Sequence, residues 1–150
     1  MISGPAHLAA RGPMYVHRRL AHGSLRCGVT RSTLAAMATT DVLLTARAQV
    51  LHDLAVRGFG DAHIVSLLED VLVSRQWWLE QWPDGAEHIA GLVAQDVQDR
   101  MVDGRVRWPR CTACDDLAEH ELRIEPELGP DPHWVCERAG IKVAALGHLT

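Results

Sequence analysis

Cys111-Thr-Ala-Cys114 is the feature that most restricts this chain, because two cysteines separated by two residues direct their thiolates to one side of a tight turn. A third cysteine, Cys136, follows in the same C-terminal region, and His120 lies between. Metal coordination in a tetrahedron needs four soft or borderline donors, and these four residue types supply them. The fourth cysteine, Cys27, stands alone near the N-terminus, so a two-disulfide framework is the poorer reading and reduced thiols are expected.

The knuckle resembles half of a zinc ribbon. The second half of such a ribbon is another C-x-x-C followed by glycine. Here Cys136-Glu-Arg-Ala139-Gly140 keeps the first cysteine and the glycine but has Ala139 at the last ligand position. The resemblance covers about the last 40 residues and implies a structural zinc ion. The chain as a whole is similar to small bacterial proteins in which a zinc-ribbon-like tail follows a helical region, a likeness that brings no activity with it.

Strand periodicity nominates the replacement ligand. In one strand His120, Leu122 and Ile124 share a face while Glu119, Glu121, Arg123 and Glu125 share the other, so the apolar set points inward. In the next, Trp134 and Cys136 oppose His133, Val135 and Glu137. If the turn at residues 126–132 joins these strands simply, His120 approaches Cys136. The expected metal site is therefore Cys111, Cys114, His120 and Cys136. His133 is the rival, on the wrong face. The remaining reading is a ribbon that has lost its metal and is held by packing of Trp134, Leu122, Ile124 and Val143.

Upstream the pattern is helical. Asp41 is the expected N-cap of a first helix with a core stripe of Leu44, Ala48, Leu51, Leu54 and Ala55, closed at Gly58 with Phe59 beyond it. Asp61 caps a second helix over residues 62–81, whose stripe of Ile64, Leu67, Leu68, Val71, Leu72, Trp78, Leu79 and Trp82 admits Arg75 as its one polar member. Pro83 stops it, and residues 84–87 read as a capping box opening a third helix that ends at Gly104. Its apolar face is Ile89, Leu92, Val93, Val97 and Met101, with Gln95, Asp96, Gln98, Asp99 and Arg100 in solvent. Strands follow at residues 117–125, 133–137 and 141–146. The expected fold class is α+β: an N-terminal three-helix region at residues 37–104, then a small antiparallel zinc-ribbon-like module at 105–150.

Residues 1–36 carry five arginines and no acid, broken by Gly-Pro pairs, and read as a disordered leader, with Met37 as an alternative natural start. The remainder holds all 19 acids against 10 basic residues. A body that acidic repels a phosphate backbone, so nucleic-acid binding is disfavoured, and its only local foothold is Arg105, Arg107 and Arg110.

No window supplies a membrane span or a secretory signal, so no membrane association and a cytoplasmic location are expected. There is no GxGxxG, Walker loop, HExxH or GxSxG. The expected function is non-enzymatic: a protein-binding or adaptor role with a structural or vestigial zinc, the partner an unidentified protein reached through the off-stripe Trp77, and a homodimer an open alternative. A metal-dependent or thiol-redox enzyme is the second alternative. His52, His63 and His88 read as solvent-facing or capping residues, and Glu69, Asp70, Asp96 and Asp99 as a solvated surface.

Overall fold

The computed structural model describes residues 31–116 and 118–150, with the backbone alone described for residues 31–35. Residues 1–30, including Cys27 and most of the expected leader, and Leu117 lie outside the described residues. The order is α1 (Arg31–Val56), α2 (Ala62–Gln81), a 3₁₀ segment (Pro83–His88), α3 (Ile89–Asp103), β1 (Arg123–Glu125), β2 (His133–Cys136) and β3 (Ile141–Ala145). Among the described residues the fold is α+β, as expected: three helices, then one antiparallel sheet in the order β1-β2-β3. Among the described residues no helix is long and apolar enough to cross a membrane.

Local signals set several boundaries. Asp61 Oδ1 accepts the N–H groups of His63 and Ile64 at 2.9 and 3.2 Å, which satisfies two of the orphan donors of α2. Gly58 takes the left-handed conformation at φ +84, and the Phe59 N–H reaches back to the Leu54 carbonyl at 2.9 Å, closing α1.

Other boundaries differ from expectation. Helix α1 spans Arg31–Val56, so Asp41 lies inside it and is no N-cap. Among its residues from 36 onward the buried ones are Ala46, Val50, Asp53 and Leu54, whereas Leu44, Ala48 and Ala55 face solvent. The helix carries two apolar stripes, and the one with Ala46 is the buried one, on a helix that packs chiefly against α3 and α2. Residues 84–87 form 3₁₀ turns with no side-chain cap, and α3 starts only at Ile89. Buried Gly85 explains the tight path: a Cβ there would lie 2.4 Å from the Trp78 ring and 2.5 Å from that of Trp82. The end of α3 agrees with expectation: Gly104 is its C-cap, and the left-handed residue, Arg105 (φ 63), follows it.

The core is continuous from helices to sheet, with Trp108 and Trp134 fully buried and in edge-to-face contact at 5.1 Å between ring centroids. Two polar side chains organise the junction. Asp53 accepts three N–H donors: Trp134 Nε1 at 2.7 Å, Gly147 at 2.8 Å and Leu149 at 2.9 Å. Gln98, expected in solvent, donates through Nε2 to the carbonyls of Trp108 (2.9 Å) and Leu122 (2.8 Å). Asp96 is likewise not free in solvent, since Arg75 clamps it with two bonds of 2.6 Å and joins α2 to α3.

Candidate metal centre

The sheet brings the cysteine knuckle to the third cysteine in two steps. Residues 109–111 run antiparallel to residues 120–122, with the Cys111 N–H donating to the His120 carbonyl and the Leu122 N–H to the Pro109 carbonyl, both at 2.8 Å. Gln98 takes up the carbonyls of Trp108 and Leu122 and so ties both segments to α3. Strand β1 then pairs with β2, Arg123 opposite Val135 and Ile124 opposite Trp134, which carries Cys136 alongside Leu122. Regular β1 is shorter than residues 117–125. The alternation nevertheless persists upstream of it: His120, Leu122 and Ile124 are buried and Glu119, Glu121 and Arg123 exposed.

Cys111, Cys114, His120 and Cys136 thereby meet, with their four donor atoms all within 4.8 Å of one another, and could hold a metal ion. The sulfurs of Cys111 and Cys114 are 3.8 Å apart. His120 Nε2 lies 3.5 Å from the Cys114 sulfur and 3.3 Å from that of Cys136. His120 and Cys136 are buried, whereas Cys111 and Cys114 are half-buried at the edge. His133 is elsewhere: it opens β2 opposite Glu125, and its Nδ1 approaches the Asp131 carbonyl at 3.3 Å.

Surrounding groups set the donors. His120 Nδ1 lies 2.9 Å from the Ala118 carbonyl, which can only accept, so Nδ1 carries a proton; Nε2 faces the cluster, where it offers its lone pair to a metal or, protonated in the metal-free imidazolium, donates to the Cys136 sulfur. That bond, with the Cys136 sulfur beside the ring, raises the His120 pKa above its ordinary value. Hydrogen bonding from His120, reinforced by the Ala139 backbone N–H, lowers Cys136 from 9.0 to about 6. Cys114 receives the Asp116 backbone N–H, which favours its thiolate, but burial and the sulfurs of Cys136 and Cys111 outweigh it and leave the pKa raised.

The second half-knuckle keeps its shape without its cysteine. Ala139 supplies the backbone N–H to Cys136, and Gly140 (φ 64) donates to the Cys136 carbonyl at 2.8 Å. Arg138 of that turn is ion-paired to Asp116 of the first knuckle's loop, which holds the Asp116 carboxyl below its usual range, and Asp116 also accepts the Ala118 N–H at 2.9 Å. The two halves are therefore tied together beside the donor cluster.

The other nominated residues lie apart from it. Trp77 is 64% exposed and Val73, one turn away, 69%. Arg107 and Arg110 are ion-paired with Glu121 at 2.8 Å and Glu119 at 3.3 Å, whereas Arg105 is exposed. Glu69 pairs with Arg47. His52 and His63 are exposed. His88 is half-buried against the Trp82 ring.

Sequence reasoning missed Asp53 and Gln98. A polar residue at a helix position beside apolar neighbours was the only available signal, and nothing nearby in the chain told which backbone groups it would serve.

The family described as Domain of unknown function (DUF8819) matches residues 39–146, a span that takes in most of α1, every later element and all four donors. No curated protein and no solved structure matches the chain.

Proposed function

The chain belongs to the DUF8819 family, a domain of unknown function, and from that premise we propose that it is a non-enzymatic, cytoplasmic protein-interaction module whose sheet is stapled by a structural zinc ion. The observation that carries the zinc is the donor geometry. With Zn–S of about 2.3 Å and Zn–N of about 2.0–2.1 Å, a tetrahedral site has S–S edges of ~3.8 Å and S–N edges of ~3.5 Å. Three of the six spacings here are 3.8, 3.5 and 3.3 Å, and all six lie within 4.8 Å. Three thiolates and an imidazole suit zinc, and the carbonyl behind His120 is the usual kind of partner that orients a ligating ring.

Four protein donors fill a tetrahedron and leave no position for water or substrate, which supports a structural rather than catalytic ion. The ion would neutralise thiolate charge and join the loop at residues 111–119 to β2, while His120 and Cys136 anchor it to the core. The interaction surface rests on α1 and α2. Leu43, Leu44, Leu72 and Val73 line a groove of about 370 Å³ between these helices, and Trp77 stands exposed one turn from Val73. Arg47, Glu69, Gln76 and Glu80 also line the groove, so an exposed tryptophan stands beside a mixed apolar and charged lining, which suits a protein contact surface. The nucleic-acid alternative is weaker, because Arg107 and Arg110 already have glutamate partners.

The test is the metal content of protein purified without added metal, together with His120→Ala. About one zinc per chain, lost or weakened in the variant, is the expected result. Folded, reduced protein devoid of zinc would refute the staple. A water-bound fourth position in the loaded protein would refute the non-enzymatic reading.

A further inference from the structure

The four donors are not equivalent in their access to solvent. Cys136 and His120 belong to the buried side of the sheet, whereas Cys111 and Cys114 sit half-buried on the loop, one turn apart, with their sulfurs 3.8 Å from each other. Ala139 stands where a ribbon would have its fourth cysteine, so the cluster holds one adjacent cysteine pair instead of two. Closing that pair into a disulfide needs the sulfurs to approach to about 2.05 Å, a movement within a loop that no strand of the sheet crosses. Cys136 is already committed to the core beside Leu122 and Trp134.

From this asymmetry we infer that Cys111 and Cys114 are a site of reversible oxidation by hydroperoxides, at which disulfide formation expels the bound metal. This rests on the zinc reading above and adds to it a modification that the staple by itself does not require. One thiolate of the pair attacks a peroxide oxygen. The O–O bond breaks, a sulfenic acid forms, and the departing oxygen takes a proton to leave as water or an alcohol. The second thiolate attacks the sulfenyl sulfur, the S–S bond forms, and the hydroxide takes a proton and leaves as water. Two electrons pass from the two sulfurs to the peroxide. Only Cys136 and His120 then remain as donors, and two ligands do not retain the ion. A dithiol reductant reverses the oxidation by exchange, restoring both thiolates for reloading.

Sheet attachment does not depend on the oxidised pair, because Asp53 holds Trp134 and the C-terminal segment from the far side. Oxidation therefore frees residues 112–116 from the metal, leaving the Arg138–Asp116 ion pair and the Cys111 N–H bond to the His120 carbonyl as their remaining ties, while the helices and β2 stay in place.

The experiment treats zinc-loaded full-length Cys27→Ser protein with hydrogen peroxide, follows zinc release with a chromogenic chelator, and maps the cysteines by peptide mass spectrometry. Loss of the bound zinc in step with a Cys111–Cys114 disulfide, with near-complete reloading after dithiol and zinc, is expected. Zinc retained under peroxide, a disulfide that includes Cys136, or conversion of the pair to sulfinic acid overturns the inference and leaves the zinc staple standing. Protein that carries no zinc before peroxide is added overturns both. Hydrogen exchange on the oxidised protein gives a second reading: faster exchange confined to the residues between Cys111 and His120 is expected, and loss of protection throughout the helices overturns the localised release.

Discussion

Replacing Asp53 by alanine tests the junction between helices and sheet most directly. The carboxylate is fully buried and serves three donors, the Trp134 indole and the backbone N–H groups of Gly147 and Leu149, at 2.7, 2.8 and 2.9 Å. A hydrogen bond to a charged acceptor contributes about 1.5–3 kcal/mol, so the three together are worth roughly 5–9 kcal/mol in gross terms. Against that stands the cost of keeping a carboxylate out of water, of the order of several kcal/mol, which the alanine variant no longer bears. The net expected loss is about 3–4 kcal/mol, since three buried donors are left without an acceptor. For a chain of this size that corresponds to a fall in Tm of about 6–16 °C. Denaturant unfolding of the metal-loaded protein measures it, with Asp99→Asn as an exposed control expected within about 0.5 kcal/mol of wild type. Native-state hydrogen exchange supplies the local signature, with Gly147 and Leu149 losing protection before the α2 and α3 amides. A loss below about 1 kcal/mol, or uniform loss of protection, would show that Asp53 is not the tie described here.

Arg75→Lys should cost about 1–2 kcal/mol in thermal or denaturant unfolding, because an ammonium cannot reproduce the paired 2.6 Å bonds to Asp96; unchanged stability would refute a role for the guanidinium fork. Gly85→Ala should lose about 1–3 kcal/mol, since the new methyl would lie 2.4 Å from the Trp78 ring, and intrinsic tryptophan fluorescence should shift with it. In metal-free protein the thiolate of Cys136, with its pKa lowered to about 6, contributes stability that is complete above the ordinary 9.0 and lost as pH falls through about 6. Thiolate ultraviolet absorbance should therefore persist to near pH 6. His120→Ala should move its disappearance upward, and an unmoved titration would exclude His120 as the cause.

What the sequence alone determined was local. A two-residue spacing brings Cys111 and Cys114 together in any tight turn. Strand alternation placed His120 inward with Leu122 and left His133 aside, because side-chain direction in an extended segment depends only on parity. Asp61 and Gly58 marked their helix ends for the same kind of reason, since capping is settled within a few residues. Which surfaces meet depends instead on packing between segments far apart in the chain. Helix α1 offers two apolar stripes, and periodicity alone favoured the one containing Leu44, whose side chain is 58% exposed. The stripe with Ala46 and Val50 is buried because its small residues admit the neighbouring elements closely and because Asp53 on that side finds donors more than 80 residues away in sequence. Gln98 follows the same logic: its carbonyl partners at Trp108 and Leu122 exist as a pair only after the sheet has formed beside α3. A buried polar side chain is stable only with its partners in place, and those partners are set by the fold rather than by neighbours in the chain.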